Sequence, residues 1–398
     1  MTTTPTTNRD AHPNELAIVM SGGGARAAYQ VGFLRAITRE LPDLEPEILT
    51  GVSAGAINAT YLASRPGTFA ERVNALADLW SGLHPDQVMR TGAFGLGKLA
   101  LMWALRLAAG GRYRPRGLRG LIDTQPLREL LHGLLAPSGE VLPGVQERID
   151  GRGLKAIAIT ASSYSTGQSI TFFQGRDVVD WERPNRRSRM GPLTVEHVMA
   201  SSALPLLFPA VRLSDGWYGD GGIRLTSPLS PAIHLGAARI LAISTRFGRS
   251  AREADQPVID DYPPPAQVAS LLLNAIFLDQ LDGDALRLQV TNRLLKELPP
   301  EERGTLRPVE LQIWRPSQDL GRCANDYEAC LPRPLRFLSR GAGTLETRSN
   351  DLLSLIMFQS DYLTRLVEIG EHDARLHMAE ILPFMDPDRR ASSVGSRA

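Results

Sequence analysis

The sequence predicts an α/β fold in which a mostly parallel central sheet carries helices on both faces. Two observations support this class. An apolar strand at Leu16–Met20 leads through three glycines into a helix at 25–40, and a second strand at 46–50 leads through another glycine turn into a helix of small residues. Strands that alternate with helices in this way form parallel sheets, because each helix crosses back over the sheet.

The rest of the chain continues this pattern and then changes in composition. Further strands are predicted at 155–160, 169–173 and 238–245, whereas a proline-rich loop after residue 250 leads into helical stretches with one strand-like run at 309–313. We therefore divide the chain into segments. These are a disordered tail at 1–14, an α/β domain at 15–250, a mainly helical C-terminal extension at 251–385 and a flexible tail at 386–398.

Composition is typical of a globular protein with no preference for polyanions. The 398 residues include 44 basic and 43 acidic side chains, a net charge of +1, so no nucleic acid partner is expected. The polar N-terminus lacks an apolar signal core, and no stretch approaches the roughly 20 apolar residues of a membrane-spanning helix, so we expect a cytoplasmic location. Cys323 and Cys330 are expected to be reduced, and neither has neighbours at zinc-ligand spacing.

The segment Gly51-Val52-Ser53-Ala54-Gly55 matches G-x-S-x-G, in which a serine occupies a sharp turn between a strand and a helix. Side chains two positions away on either side would collide with such a turn, which explains the glycines. The helix that follows directs its positive end at the serine and favours an oxyanion there. The context predicts Ser53 as a nucleophile, with the N–H of Ala54 as one donor to the oxyanion.

A second motif, Ser21-Gly22-Gly23-Gly24-Ala25-Arg26, exposes consecutive backbone N–H groups that can hold a negative charge. Gly22, Gly24 and Ala27 also fit the G-x-G-x-x-A fingerprint of dinucleotide sites, and acidic residues follow about 20 positions on. The adjacent serine motif favours a different interpretation. Gly22, Gly23 and Gly24 would then form an oxyanion hole, while Arg26 braces the loop or meets a lipid phosphate.

A serine hydroxyl is a weak nucleophile until a neighbouring base takes its proton. The chain contains seven histidines, and none stands in a setting that marks a catalytic role. Asp220 is the better candidate, because Gly219-Asp220-Gly221-Gly222 places a carboxylate in a tight turn whose glycines permit close approach. The alternative explanation is an ordinary D-G hairpin turn.

The ordered motifs SGGGAR, GVSAG and DGG, with the helix AAYQVGFLRAI and the run Ala200–Pro205, resemble the patatin-like phospholipases over about residues 15–245. The resemblance implies a three-layer α/β/α sandwich with a catalytic domain at 15–250, and a Ser53–Asp220 dyad without histidine. It also implies an oxyanion hole built from the glycine loop and Arg26. Ala27 departs from the family, in which many members have glycine after the basic residue.

The expected function is that of a lipid acyl hydrolase, of the phospholipase A, lysophospholipase or carboxylesterase type, which forms an acyl-enzyme and requires no metal or organic cofactor. Two alternatives stay open: an α/β-hydrolase triad with His234, His372 or His377, and a lipid-binding protein without turnover. Residues 98–119 carry six basic and no acidic side chains beside an apolar stretch. They predict either peripheral contact with anionic lipid or a buried helix before a solvated loop. A homodimer through the C-terminal helices is compatible with the sequence.

Overall fold

The computed structural model describes residues 15–90, 105, 108, 110, 120, 122–137, 139–249, 251–255, 262–264, 267–268, 270–272, 280–331, 333–341 and 349–386. Segment 98–119, for which lipid contact is predicted, lies outside this range except for residues 105, 108 and 110. In the part of the chain described, Cys323 and Cys330 are not joined by a disulfide. No described helix combines the length and the apolarity needed to cross a membrane.

Ten described strands form one sheet, in the order β10-β9-β1-β2-β3-β4-β6-β5, with β8 paired to β3 and β7. The strands are β1 (Leu16–Met20), β2 (Ile48–Val52), β3 (Ala156–Ser163), β4 (Ser169–Gly175), β5 (Glu182–Arg183), β6 (Arg186–Met190), β7 (Val211–Leu213), β8 (Gly216–Asp220), β9 (Arg239–Ile243) and β10 (Glu310–Trp314). All neighbours in the row β10-β9-β1-β2-β3 are parallel. Every residue of β1, β2 and β9 is buried, as expected for parallel strands covered on both faces.

Helices lie on both faces of the sheet and confirm the predicted three-layer α/β/α class. The described α-helices are α1 (Ala27–Glu40), α2 (Ala54–Ser64), α3 (Phe69–Ser81), α4 (Pro85–Val88), α5 (Gln125–Leu135), α6 (Pro143–Asp150), α7 (Val195–Ser201), α8 (Ser230–Leu235), α9 (Ala251–Ala254), α10 (Gln280–Glu297), α11 (Leu320–Asn325), α12 (Arg333–Gly341), α13 (Asp351–Ile356), α14 (Ser360–Leu376) and α15 (Met378–Met385). One core contains α1, α2, α3, α5, α6, α7 and α14. The smaller core on the other face contains α8 and α10.

The C-terminal extension adds an edge strand to the sheet and a helix that packs on α1. Strand β10 adds to β9 as a parallel strand. Helix α14 lies in backbone contact with α1, since a Cβ on Gly32 would stand 2.0 Å from the carbonyl oxygen of Val367, and one on Gly370 would stand 2.2 Å from that of Tyr29. The residues after 250 therefore share the core of the preceding domain.

Candidate active site

Ser53 joins β2 to α2 in a backbone conformation that L-residues seldom adopt, with φ 56° and ψ −131°. A Cβ on Gly51 would lie 2.2 Å from the carbonyl oxygen of Gly55, and a Cβ on Gly55 would lie 2.3 Å from that of Met20. The turn thus has no room for a side chain at either glycine. A strained residue of this kind persists only where its surroundings hold it, and such residues cluster at functional sites.

Two serines at the end of α7 hold this turn. The hydroxyl of Ser201 accepts a hydrogen bond from the N–H of Ser53 at 3.0 Å and donates to the carbonyl oxygen of Thr160 at 2.7 Å. The hydroxyl of Ser202 donates to the carbonyl oxygen of Ser53 at 3.0 Å. Sequence reasoning gave these serines no site role, although they lie in the run Ala200–Pro205 that resembles the family.

Asp220 reaches Ser53 because β8 takes over the edge of β3 where β2 ends. Strand β2 pairs with β3 as far as Val52 opposite Thr160, and β8 pairs antiparallel to β3 from Asp220 opposite Ala161. Strand β4 occupies the other edge of β3 along the same residues. The C-terminal ends of β2 and β8 therefore meet head to head, which places the serine turn beside the carboxylate.

The carboxylate of Asp220 is fully buried. Its Oδ1 accepts the N–H of Gly222 at 2.9 Å, whereas no described group makes a well-formed hydrogen bond to Oδ2. Burial raises the pKa of Asp220 to about 7, and hydrogen bonding with Ser53 and with the backbone of Gly222 opposes this rise. The Ser53 hydroxyl is therefore near enough to the carboxylate to influence its pKa.

The glycine loop lies against the serine turn on one side and against α13 on the other. A Cβ on Gly22 would stand 3.0 Å from the Cβ of Ser53, and a Cβ on Gly24 would stand 2.1 Å from the carbonyl oxygen of Leu355. The hydroxyl of Thr245 donates to the carbonyl oxygen of Gly22 at 2.7 Å. The structure thus brings the two glycine motifs and Asp220 together, with the backbone of the loop next to Ser53.

Arg26 is turned away from Ser53 and braces the loop. Its guanidinium is buried, with Nε donating to the hydroxyl of Ser354 at 2.6 Å and Nη2 donating to the carboxylate of Asp351 at 2.6 Å and to its carbonyl oxygen at 2.9 Å. Its N–H donates to the carbonyl oxygen of Gly23 at 3.1 Å. Of the roles considered for Arg26, these contacts match bracing, since Nε and Nη2 both donate to groups of α13.

An apolar cavity of about 50 Å³ begins at Ser53, Ala54 and Gly24. Apolar side chains make up most of its wall, among them Ile57, Tyr61, Trp80, Leu131, Phe208 and Phe358. Such a wall suits a hydrocarbon chain. The volume is small, so the side chains must move apart to admit a long one.

The three histidines of the triad alternative lie in other surroundings. His234 stacks on Trp181 at 4.8 Å, and burial lowers its pKa to about 4. His377 lies against Trp314, and His372 is exposed. Among the described residues, the hydrogen bonds of Ser53 and Asp220 involve hydroxyls and backbone groups rather than imidazoles, and no cluster of metal-ligating side chains occurs.

The fold and the site together define an α/β/α protein with a serine turn beside a buried aspartate, on a mostly parallel sheet between helical layers. The sequence resolves the family, because residues 18–233 match the description "patatin-like phospholipase". This match covers more than half of the chain. The chain therefore belongs to the patatin-like phospholipase family, as the ordered motifs indicate.

Solved structures with a similar fold are distant. VipD from Legionella pneumophila is 12% identical with a TM-score of 0.34, covering 90% of this chain and 67% of that one. The human GIVD cytosolic phospholipase A2 is 12% identical with a TM-score of 0.47, covering 95% and 63%. For the ExoU–SpcU complex of Pseudomonas aeruginosa the values are 15%, 0.26, 91% and 75%. These likenesses support no functional conclusion, and no curated protein matches the sequence.

Proposed function

We propose that this chain hydrolyses lipid acyl esters, with Ser53 as nucleophile and Asp220 as its base. The observation that carries the proposal is the fully buried carboxylate, with its raised pKa, beside a strained serine at the start of an apolar cavity. Groups with perturbed pKa values in clefts are candidates for catalysis. Membership of the phospholipase family supports lipid esters as the substrate class.

In the proposed acylation step, Asp220 accepts the hydroxyl proton as Oγ of Ser53 attacks the ester carbonyl carbon. A carboxylate with an ordinary pKa near 3.9 is a poor base at neutral pH, whereas a pKa of about 7 suits proton transfer there. The leaving alkoxide takes the proton and departs as an alcohol. Water then attacks the acyl-serine with Asp220 again as base, which releases the carboxylic acid and restores the hydroxyl.

The oxyanion is held by backbone N–H groups of the loop Gly22–Gly24 and of Ala54. Ala54 is the first residue of α2, where N–H groups have no partner inside the helix and the helix dipole favours negative charge. Loss of one such donor lowers the rate roughly a hundred- to a thousand-fold in related chemistry. Arg26 supports this loop through its contacts with α13.

A dinucleotide, the ligand of the competing interpretation, has no room at the glycine loop. In that fingerprint, the second glycine lets a pyrophosphate approach the backbone. Gly24 occupies this position, and the carbonyl oxygen of Leu355 fills the space where its Cβ would be. The loop is covered at the point where a pyrophosphate would have to bind.

We also propose that the chain acts at a lipid surface, with residues 98–119 in contact with anionic headgroups. The support is compositional, because this segment joins six basic side chains to an apolar stretch. Sedimentation with vesicles that contain anionic lipid should exceed sedimentation with neutral vesicles. Equal binding to both would contradict this part of the proposal.

The test of the catalytic proposal is hydrolysis of p-nitrophenyl esters of different acyl lengths by four proteins. These are the wild type, Ser53→Ala, Asp220→Asn and a triple alanine variant of His234, His372 and His377. We expect the first two variants to lose at least about a thousand-fold in kcat while the triple variant stays active. A folded but inactive histidine variant would favour a triad instead. A wild type that turns over no ester, with vesicles present, would favour a lipid-binding protein.

A further inference from the structure

Residues 350–358 lie far beyond the family match at 18–233, yet they contact both the glycine loop and the apolar cavity. We propose that this segment, here called the brace segment, positions the oxyanion loop through an ion pair between Asp351 and Arg26. The inference rests on the proposed hydrolase function. If it holds, the chemical step depends on Asp351, a carboxylate in the C-terminal extension that touches neither substrate nor Ser53.

The ion pair is buried and well hydrogen-bonded. The side chain of Arg26 is 3% exposed and that of Asp351 is 15% exposed, with Nη2 and Oδ1 2.6 Å apart. Nε of the same guanidinium donates to the hydroxyl of Ser354, which in turn donates to the carbonyl oxygen of Asp351 at 2.8 Å. Removal of one partner from such a pair leaves a buried charge without compensation, so the two residues are strongly coupled.

The pair acts directly on the loop because Arg26 ends it. The N–H of Arg26 bonds to Gly23 at 3.1 Å, and the residue is followed at once by helix α1. Two positions before Arg26, Gly24 has φ 54° and lies against the carbonyl of Leu355 without any intervening side chain. The side chain of Arg26 and the backbone of Gly24 therefore both contact α13.

The brace segment is itself anchored to the extension, so it can hold the loop in place. Oδ1 of Asn350 accepts the N–H of Leu353 and caps α13, and the N–H of Asn350 donates to the carbonyl oxygen of Gly321. At the other end, Phe358 stacks near Trp80 with ring centroids 6.4 Å apart and lines the cavity. One end thus orders the loop, and the other forms part of the wall for the acyl chain.

These contacts predict different kinetic effects at the two ends. Loop N–H groups act on an oxyanion that exists only in the transition state, so a displaced loop lowers kcat with little change in KM. In contrast, Phe358→Ala alters only the cavity wall. We expect it to act mainly by raising KM for long acyl esters.

The experiment measures kcat and KM for p-nitrophenyl butyrate, with thermal unfolding to establish folding, for the full-length wild type and its variants. We expect Asp351→Asn to lower kcat at least about tenfold at nearly unchanged KM, because loss of a single donor already costs more than that. Asp351→Glu keeps the carboxylate and should recover most of the loss. Asp361→Asn, an exposed carboxylate at the start of α14, is the matched control and should behave as wild type.

A folded Asp351→Asn variant with kcat within about twofold of wild type, or with a change confined to KM, overturns the inference and leaves the proposed function standing. Should Asp351→Asn fail to fold, Ser354→Ala removes the hydrogen bonds of the Ser354 hydroxyl to Nε of Arg26 and to the carbonyl oxygen of Asp351, and the same criteria apply to it. An inactive wild type overturns the proposed function first and this inference with it. The two failures are therefore distinguishable.

Discussion

A buried carboxylate lies at each end of the central sheet, one with a cationic partner and the other without. At the amino ends of the strands, both carboxylate oxygens of Glu15 lie 2.7 Å from Nζ of Lys155, and the residues are 7% and 6% exposed. At the carboxyl ends, Asp220 is fully buried, and no charged group of the described residues is among the causes that set its pKa. Glu15 thus forms an ion pair, whereas Asp220 has no charged partner among the described residues.

Because of this difference, one buried carboxylate of the sheet serves stability and the other is suited to chemistry. A buried carboxylate with a cation stays charged and holds its neighbours in place, whereas an unpaired one is penalised by desolvation and its pKa rises. A raised pKa is unfavourable for the charged native state, yet it is what a base needs near neutral pH. The amino end should therefore respond to mutation in stability alone, and the carboxyl end in activity.

The largest effect on stability is expected from breaking the paired end. Glu15→Gln leaves the ammonium of Lys155 buried without its partner, and should lower the free energy of unfolding by about 3–5 kcal/mol with little change in kcat. Urea unfolding and ester hydrolysis measure the two quantities. Glu182→Gln is the matched control, because Glu182 and Arg187 are also 2.7 Å apart but are exposed, and should cost less than about 1 kcal/mol. Equal losses in the two variants would contradict the comparison.

At Asp220, by contrast, removal of the carboxylate charge is expected to raise the stability of the protein. Burial raises the pKa of Asp220 from 3.8 to about 7, so the native state keeps a proton that the unfolded chain releases between these values. This contribution to stability is complete below pH 3.8 and is lost as the pH rises through 7. Asp220→Asn avoids the loss, so it should be increasingly more stable than wild type from pH 4 to 8, by at most about 4 kcal/mol.

Thermal unfolding of Asp220→Asn and wild type at several pH values tests this expectation, with Asp361→Asn as an exposed control. The variant should be inactive and yet unfold at a higher temperature at pH 8. A difference in unfolding temperature that stays constant with pH would show that the carboxylate is not desolvated in the native state.

The pH profile of the wild type sharpens the comparison further. If Asp220 must be ionised to act, kcat/KM for a neutral ester should rise about tenfold per pH unit below 7 and level off above it, with an apparent midpoint near the pKa of about 7. The triple histidine variant should follow the same profile. A midpoint near 4 would indicate an ordinary carboxylate, and loss of the midpoint in the histidine variant would indicate an imidazole.

The smallest effect concerns acyl length. Tyr61 lines the cavity two turns along α2 from Ser53, a distance of about 12 Å along the helix axis. Tyr61→Ala should extend the cavity and favour longer acyl chains, by roughly fourfold for each methylene newly buried at about 0.8 kcal/mol. Rates on p-nitrophenyl acetate should be unchanged. Tyr262→Ala, at an 87% exposed residue, should leave the length preference as it is, and an equal decline at all lengths would contradict the assignment of Tyr61.

Sequence reasoning succeeded best where a local pattern carries the structure. Strand β1 was predicted with the bounds observed, Leu16–Met20, because a fully buried strand between a polar tail and a glycine turn has sharp limits. The basic run at 183–189 is different, because it shows no strand pattern in the sequence and yet contributes to the edge hairpin β5–β6. Exposed edge strands carry charges and lack an apolar alternation, so they resemble loops in sequence.

The supporting residues of the site could not be predicted for a related reason. Ser201, Ser202 and Thr245 are single hydroxyls whose hydrogen bonds to the serine turn and the glycine loop cross long stretches of sequence. Asp351 lies outside the part of the chain that resembles the family. A lone polar residue has no periodicity or motif, and its partner becomes visible only when the chain has folded.

The sequence by itself determined the α/β class, the family and the candidate residues for the site. The candidates stand out because local backbone geometry requires glycines around Ser53 and Asp220. Only the tertiary structure decided which of these residues meet. Ser53 and Asp220 lie together because β8 replaces β2 along one edge of β3. The raised pKa of Asp220 and the role of Arg26 depend on burial and on α13. Burial and long-range pairing are properties of the folded chain as a whole, which a local sequence pattern does not contain.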